Sequence, residues 1–501
     1  MLTEKQIKQL HLLGIEEDQI ETQITFFTEG FNFSNLVKPA VIEDGIFHAS
    51  DEEIESWSKK YDEFSLNSRI VKFVPASGAA TRMFKGLYEF LENPQKSSDA
   101  DILLKNIEKF AFYEDLRDAF KIKSIDIHDV MNQKGLSIII KELLEKEGLN
   151  YGNLPKGLIK FHHYPNETRT SVEEHIAEGI KYAVSKDTLR LHFTISPEHE
   201  KLFSNEFNKL KNKYLAQTKF NIDITSSYQK KSTDTIAVDM DNCPLVDHEG
   251  KLIFRPGGHG ALLENLNEIE ADIIFIKNVD NLVPDYLKPI TVKYKKAIAG
   301  LLVLLKQQIA EYLTYLEWHD IYTEKHKREI AAFMEKYLGI KIPEGIDNSV
   351  FAGYVKSKLD KPIRVCGMVK NVGEAGGGPF WTLNRNGEPT LQIIESSQVD
   401  MNDSSQKKIF TEATHFNPVD LVCYTKDYTG NKFNLLKYRD SSAGFISEKT
   451  ISGKKIKAQE LPGLWNGGMA HWITLFVEVP LETFNPVKSF ADLLRKEHQP
   501  K

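Results

Sequence analysis

Residues 74–86 read VPASGAATRMFKG and place small residues between a predicted strand and a predicted helix. Backbone N–H groups at such a turn, together with the positive end of the helix dipole, favour a bound phosphate. Arg82 would add a planar fork of hydrogen-bond donors for the same anion. The motif alone leaves two interpretations open: a phosphate-binding loop, or a tight turn in which Arg82 pairs with a surface carboxylate.

Two further segments carry groups suited to phosphate and metal chemistry. Lys156 lies between a proline and a glycine that restrict the backbone, and its ammonium can neutralise a phosphate. Asp280 and Asn281 follow a predicted apolar strand, and open α/β sheets bind ligands at the carboxyl ends of their strands. One such carboxylate, together with substrate phosphates, is a usual Mg²⁺ site. A solvated lysine and an Asp-Asn turn cap are the structural alternatives.

Glycine-rich and polar segments indicate a pocket for a flat or hydroxylated ligand. Residues 255–263 read RPGGHGALL, in which three glycines flank His259 and allow the backbone to approach a ligand closely. Gln229 begins a polar loop, and its amide can read the edge of a base. A plain helix start and a solvated loop are the alternatives for these two segments.

The last part of the chain adds polar side chains beside glycine clusters. Glu395, Gln398 and Asn466 carry the functional groups that bind sugar hydroxyls. Lys488 precedes a predicted helix, where it is either a phosphate ligand or the exposed lysine of a docking helix.

The elements that must position these residues alternate between helix and strand along much of the chain. This alternation predicts an α/β fold with three layers, in which helices cover both faces of a mixed, mostly parallel sheet. Helical segments also precede the first long strand and interrupt the sheet. The principal strands are predicted at 69–74, 189–195, 220–225, 271–277, 363–369, 391–395 and 472–479.

Composition narrows the functional class. The chain has 501 residues and a formal net charge of -7, so no basic surplus indicates a nucleic-acid partner. Its three cysteines form no C-x-x-C pair, which argues against a disulfide framework or a cysteine zinc site. The most apolar run, 297–305, is too short to cross a bilayer, and the N-terminus lacks the pattern of a signal peptide. We therefore expect a cytoplasmic protein without a membrane partner, and its oligomeric state stays open.

Taken in order, these motifs resemble the UDP-sugar pyrophosphorylases, a group of nucleotidyltransferases of the GT-A type. The chain looks closest to a bacterial branch of about this length that carries a domain of unknown function. The resemblance covers roughly residues 70–495 and implies a Rossmann-like nucleotidyltransferase core. Together with the pattern of helices and strands, it predicts four regions: a helical N-terminal extension at 1–68; a nucleotide-binding core at 69–287 with a helical insertion at about 90–150; a helical insertion at 288–340; and a sugar-binding half at 341–501.

The resemblance assigns a role to each candidate residue. It implies catalytic phosphate contacts by Arg82, Lys156 and Lys488, and a metal ligand at Asp280. The implied nucleotide-binding residues are Ser77, Gly78, Ala79, Ala80, Thr81, Gln229, Gly257, Gly258 and His259. The implied sugar-binding residues are Asn281, Glu395 and Asn466.

The expected activity joins a nucleoside triphosphate, UTP first, to a sugar 1-phosphate with Mg²⁺ as cofactor, and releases pyrophosphate. Ser77 and Ala80 stand where the family has glycine, and a methyl group at residue 80 would obstruct a backbone of positive φ. Two alternatives therefore stay open. One is ATP-dependent phosphoryl or nucleotidyl transfer to a non-sugar substrate, and the other is nucleotide-sugar binding without catalysis.

Overall fold

The computed structural model describes residues 2–94, 98–131, 135–319, 322–343, 345–374, 376–451 and 453–501. The α-helices in these ranges are α1 Glu4–Leu13, α2 Glu17–Glu29, α3 Asp51–Ser65, α4 Lys85–Glu92, α5 Ser98–Asn106, α6 Tyr113–Ile122, α7 Ile127–Val130, α8 Leu136–Leu144, α9 Ser171–Gly179, α10 Glu200–Gln217, α11 Leu262–Glu268, α12 Lys288–Trp318, α13 Glu324–Leu338, α14 Asn348–Leu359 and α15 Ser404–Thr411.

The strands follow the same order along the chain. They are β1 Leu36–Pro39, β2 Val41–Ile42, β3 Gly45–Phe47, β4 Ile70–Pro75, β5 Lys160–Tyr164, β6 Glu167–Thr170, β7 Val184–Ser185, β8 Thr188–Ile195, β9 Asn221–Tyr228, β10 Thr235–Val238, β11 Phe254–Arg255, β12 Ile273–Lys277, β13 Ile363–Lys370, β14 Gly378–Leu383, β15 Pro389–Ile394, β16 His415–Phe416, β17 Asp420–Tyr424, β18 Phe445–Ile451, β19 Lys454–Glu460 and β20 Ile473–Glu478.

The chain forms two compact units, each assembled from separate segments. Unit 1 contains Met1–Phe64, Gln229–Phe275 and Ala297–Val479. Unit 2 contains Ser65–Tyr228, Ile276–Lys296 and Pro480–Lys501. Strand β12 begins in unit 1 and ends in unit 2.

Unit 1 contains a parallel run of strands in the order β2-β3-β20-β13, and β17 pairs antiparallel with β13. The register of β13 with β20 runs from Ile363↔Ile473 to Met368↔Glu478. Most side chains of both strands are buried, which is why their sequences are nearly continuously apolar rather than alternating. Two smaller antiparallel sheets, β1-β14-β15 and β11-β10-β19-β18, complete the unit.

Unit 2 contains strands β4, β8 and β9, which pair in parallel with β8 in the middle. The short strand β7 pairs antiparallel with β8. Helices α4 to α8 pack around an aromatic core that also takes in the C-terminal segment, where Phe490 lies against Phe84 and Phe110. The predicted α/β class and the mixed, mostly parallel sheet are thus confirmed. No helix in the described ranges has both the length and the apolarity needed to cross a membrane.

Candidate functional site

The loop after β4 and the Pro-Lys-Gly segment lie side by side in unit 2. The backbone N–H of Lys156 donates to the carbonyl of Gly78 at 3.2 Å, and that of Ala80 donates to Leu154 at 3.0 Å. These bonds form an antiparallel bridge between Ala79 and the proline before Lys156. Two motifs that are far apart in the sequence therefore become one surface.

The loop itself is built without left-handed backbone. None of Ser77, Gly78, Ala79 and Ala80 is among the residues with positive φ, and Ala79 is extended at φ -68°. Ala80 begins a 3-10 helix that leads into α4, and it is fully buried. Its methyl group therefore causes no conformational strain. Its N–H, already bonded to Leu154, is not available to a ligand.

The remaining candidates on this loop face solvent. Gly78, Ala79, Thr81 and Arg82 are exposed, and a Cβ built on Gly78 would meet no atom within 4 Å. Thr81 donates its hydroxyl to the carbonyl of Gly152 at 3.2 Å. Arg82 forms no ion pair with any part of the chain that the structure describes, so the alternative in which it pairs with a surface carboxylate is not observed.

Lys156 and Asp280 form the centre of the site in unit 2. The ammonium of Lys156 lies 2.9 Å from Oδ2 of Asp280 and donates a second hydrogen bond, also 2.9 Å, to the carbonyl of Val487. The backbone N–H of Val487 in turn donates to the carbonyl of Asp280 at 3.0 Å. The side chains of Lys156 and Asp280 are 16% and 21% exposed, so solvent reaches the pair.

Asn281 ties the C-terminal segment to the end of β12. Its side chain is 1% exposed, and its Oδ1 accepts a hydrogen bond from the N–H of Asn485 at 2.9 Å. Asn281 also forms a backbone bridge with Pro486. Lys488 follows directly, with its side chain exposed and its N–H bonded to Asp492 at 2.9 Å. The contacts of Asn281 in the structure are therefore structural, and its sugar-binding role stays a prediction.

Helix α9 positions the segment that carries Asp280. The hydroxyl of Ser171 and the Nε2–H of His175 donate to the carbonyl of Val279, just before Asp280. A second buried contact of the C-terminal segment joins Nδ1 of His498 to Nε2 of His162 at 2.9 Å. Burial, reinforced by the neighbouring His162, lowers the pKa of His498 to about 3.

A buried ionic cluster fixes α9 within unit 2. Glu178 accepts hydrogen bonds from Lys72 on β4 at 3.0 Å and from Lys277 on β12 at 2.6 Å, and all three side chains are at most 1% exposed. Burial alone would raise the pKa of Glu178, but the two ammonium groups hold it well below its ordinary value. Burial lowers the pKa of Lys72 to about 7. Sequence analysis did not select these residues, although lysines inside apolar strands were a signal.

The candidates of the glycine-rich segment, Gly257, Gly258 and His259, lie in unit 1. The ring of His259 stacks on Trp465 with centroids 4.3 Å apart, and its Nδ1 accepts from the N–H of Leu464 at 3.1 Å. Burial lowers the pKa of His259, against the opposing effect of nearby carboxylates. Gly258 has a φ of +76°, and a Cβ at Gly257 would lie 2.5 Å from a backbone oxygen. Both positions therefore require glycine.

Asn466 and Gln398 line a polar cleft of about 430 Å³ in the same unit. Asn466 donates to Oε1 of Gln398 at 3.0 Å, and the same oxygen accepts from the N–H of Glu395 at 3.0 Å. Asn466 is 4% exposed, and its Oδ1 has no hydrogen-bond partner among the described residues. Gln229, also in unit 1, donates to Asp234 at 3.4 Å.

The residues present suit Mg²⁺ only in combination with substrate phosphates. No group of three or more His, Cys, Asp or Glu side chains suited to a metal occurs within the described ranges. Asp280 supplies one carboxylate in contact with solvent, and Mg²⁺ commonly binds one or two protein carboxylates, several waters and the phosphates of a substrate.

Fold and geometry define an α/β protein with a lysine-carboxylate site beside a loop of small residues. The chain belongs to the family described as domain of unknown function DUF4301, whose model matches residues 3–499. A comparison with curated proteins gave no match.

Among solved structures, the UDP-N-acetylglucosamine pyrophosphorylase of Trypanosoma brucei is similar at 11% identity and a TM-score of 0.47, over 91% of this chain and 72% of that one. A UDP-glucose pyrophosphorylase variant of Leishmania major, in complex with UDP-glucose, is similar at 14% identity and a TM-score of 0.44, over 99% of this chain and 79% of that one. Values this low do not assign an activity to this chain.

Proposed function

We propose that the protein is a Mg²⁺-dependent nucleotidyltransferase that joins UTP to a sugar 1-phosphate and releases pyrophosphate. The observation that carries the proposal is the convergence in unit 2 of the loop at Gly78, the ammonium of Lys156 and the carboxylate of Asp280. The order of the motifs along the sequence supports the choice of substrates.

The reaction needs charge neutralisation and alignment rather than a base. A phosphate oxygen of the sugar 1-phosphate bonds to the α-phosphorus of UTP, and the bond from that phosphorus to the bridging oxygen of pyrophosphate breaks. The attacking oxygen is already ionised at neutral pH. In this proposal Lys156, Arg82 and Lys488 stabilise the charge that builds up on the reacting phosphates and the leaving pyrophosphate.

In this proposal a phosphate binds the one N–H of the Lys156 ammonium that the described part of the chain leaves unused. In the structure its ammonium is bonded to Asp280 and to the carbonyl of Val487. A phosphate bound there would lie beside the carboxylate of Asp280, and the carboxylate and the phosphates together would hold Mg²⁺. Bound there, the cation would supply further neutralisation of the pyrophosphate charge.

The proposed base, ribose and sugar contacts belong to unit 1. They are Gln229, Gly257, Gly258 and His259 on the nucleotide side, and Glu395 and Asn466 on the sugar side. Asn466 supports its role most directly, because its buried Oδ1 lacks a partner among the described residues and a sugar hydroxyl would supply one.

The test is a pyrophosphate-release assay with a panel of nucleoside triphosphates and sugar 1-phosphates, with Mg²⁺ or with EDTA. We expect Lys156→Met to lower turnover by at least about 100-fold, since removal of a positioned donor to developing charge costs that much. Lys160→Met is the matched control, because Lys160 is a partly buried lysine of unit 2 that pairs with Asp115 at 2.6 Å. Absence of pyrophosphate from every pair, or normal turnover by Lys156→Met, would contradict the proposal.

A second candidate is a nucleotide-sugar-binding protein without catalysis. The observation in its favour is that Lys156, the proposed catalytic cation, is paired with Asp280, the proposed metal ligand. Calorimetric binding of UDP-sugars without turnover under any divalent metal would favour it. Release of ADP rather than pyrophosphate would instead indicate ATP-dependent phosphoryl transfer.

A further inference from the structure

A second cavity of about 490 Å³ lies within unit 1 and contains none of the candidate residues discussed above. It is bordered by the end of α13, by α14, by β15 and by the start of β20. Its volume falls within the range of about 300 to 1,000 Å³ typical of small-molecule sites. The apolar part of its wall consists of Leu338, Ile340, Tyr354, Leu391, Trp472 and Ile473.

The charged groups of this cavity are unbalanced towards the positive. Glu388 is its one carboxylate within the described ranges, and Lys358 pairs with it at 2.6 Å. Lys341 is 82% exposed and lies 3.4 Å from Glu335. Lys361 is partly buried, and in the described part of the chain its ammonium has neither an ion pair nor a hydrogen bond. An ammonium in this situation favours an anionic partner.

A neutral donor in the same wall also lacks a partner. Trp472 is 5% exposed, and among the described residues its indole N–H makes no hydrogen bond. A buried donor without an acceptor costs free energy that a ligand oxygen would recover. The cavity therefore combines a mostly apolar wall, of which Trp472 is part, with a cationic donor at Lys361 that has no partner in the described part of the chain.

We propose that this cavity binds a small organic anion: a carboxylate, phosphate or sulfonate attached to an aromatic or other apolar group. The anionic group lies at Lys361, and the apolar body packs against Tyr354, Leu391 and Trp472. A cation is disfavoured, because the carboxylate of Glu388 is already occupied by Lys358.

The probe is 1-anilinonaphthalene-8-sulfonate, which combines a sulfonate with an aromatic body and fluoresces when it is shielded from water. We expect saturable binding to the full-length protein at one site. Lys361→Met, which keeps most of the length of the side chain but not its charge, raises the Kd at least about tenfold, as the loss of one charge-assisted hydrogen bond would. Trp472→Phe, which removes part of the aromatic wall together with the indole N–H, raises the Kd at least about threefold.

Lys407→Met is the matched control, because Lys407 is an exposed lysine of α15 in the same unit and does not line the cavity. It leaves the Kd unchanged. Circular dichroism confirms that each variant is folded, and Lys361→Met alone decides the question if Trp472→Phe does not fold.

Competition then separates the anion classes. We expect phenyl phosphate or phenylacetate to displace the probe and benzyl alcohol to fail, and the stronger of the two anions identifies the headgroup. Equal Kd values for Lys361→Met and Lys407→Met, or displacement by benzyl alcohol at the same concentration as by the anions, would overturn the proposal. No nucleotide is used, so the result does not depend on the proposed transferase activity.

Discussion

Replacing Asp280 by Asn should have opposite effects on metal-free nucleotide binding and on turnover. The substitution keeps the shape of the side chain and removes the charge that holds Lys156. The ammonium keeps its bond to the carbonyl of Val487 and becomes free for a phosphate. We therefore expect Asp280→Asn to bind UTP more tightly in EDTA, yet to lose most of its Mg²⁺-dependent turnover because the proposed metal ligand is gone.

The magnitude follows from the geometry of the pair. A phosphate oxygen bonded to Lys156 would lie about 5 Å from the carboxylate of Asp280, since both would sit one hydrogen bond from the same nitrogen. Coulomb's law gives a repulsion of about 0.8 kcal/mol in water and about 3.3 kcal/mol at an effective dielectric constant of about 20. Solvent reaches both side chains, which are 16% and 21% exposed, so we take about 1 kcal/mol. That energy corresponds to an affinity for metal-free UTP about fivefold higher.

The measurement is calorimetric titration of UTP in EDTA, followed by pyrophosphate release in Mg²⁺ with the same preparations. Asp115→Asn is the control, because Asp115 forms a comparable pair with Lys160 in unit 2 and should change neither quantity. The reasoning is refuted if Asp280→Asn weakens UTP binding in EDTA, since Lys156 would then not be the group that the carboxylate withholds.

Three further predictions concern unit 2. His498 has a pKa near 3 in the folded chain, so only the unfolded chain takes up its proton as the pH falls from about 6.5. The free energy of unfolding of unit 2 should therefore be about 1.4 kcal/mol lower one pH unit below that value. Hydrogen exchange would measure this decrease, and His498→Gln should abolish it. Ala80→Gly should lower the free energy of unfolding by about 1 kcal/mol. It should not raise the affinity for UTP, because φ at this residue is not positive and the backbone does not need glycine. Tighter UTP binding in calorimetry would contradict this prediction. Glu178→Gln removes the carboxylate charge that lies between Lys72 and Lys277. Hydrogen exchange should therefore show that the free energy of opening of α9 falls by about 3 to 5 kcal/mol.

Fluorescence can distinguish unit 1 from unit 2 in such experiments. The tryptophans of the chain all belong to unit 1, at residues 57, 318, 381, 465 and 472. Tryptophan emission therefore reports on unfolding of unit 1, and hydrogen exchange in peptides from unit 2 reports on unfolding of unit 2. An effect of Glu178→Gln that appears only in tryptophan emission would contradict the local role of the ionic cluster.

The sequence predicted long strands well and short ones poorly. Strands β4, β8 and β13 begin and end within a few residues of their predicted limits, because buried apolar residues make up much of each strand. Strands β1, β2 and β3 were not predicted. They are two to four residues long and owe their conformation to partners far away in the sequence, such as β14 and β20.

The candidate site was predictable as separate motifs but not as a set of contacts. Motif chemistry selected Lys156 and Asp280, and the end of β12 indicated where the second would lie. The contact between Lys156 and the carbonyl of Val487 could not be predicted from the sequence, because any residue supplies a backbone oxygen. The lysines at 72 and 277 did have one: a charge within a fully buried strand requires a buried counter-charge, and Glu178 supplies it.

Ser77 and Ala80 stand where the family that the sequence resembles has glycine, which raised the question of whether their side chains obstruct the loop. Neither residue has a positive φ, so the observed backbone conformation does not require glycine at these positions. The donors near a phosphate bound here are partly engaged: the N–H of Ala80 is bonded to Leu154, and the ammonium of Lys156 is paired with Asp280. Of these two, only the second can be released without breaking the bridge that joins the loop to residues 154–156. Competition between a phosphate and Asp280 for Lys156 is therefore what the Asp280→Asn experiment tests in the proposed site.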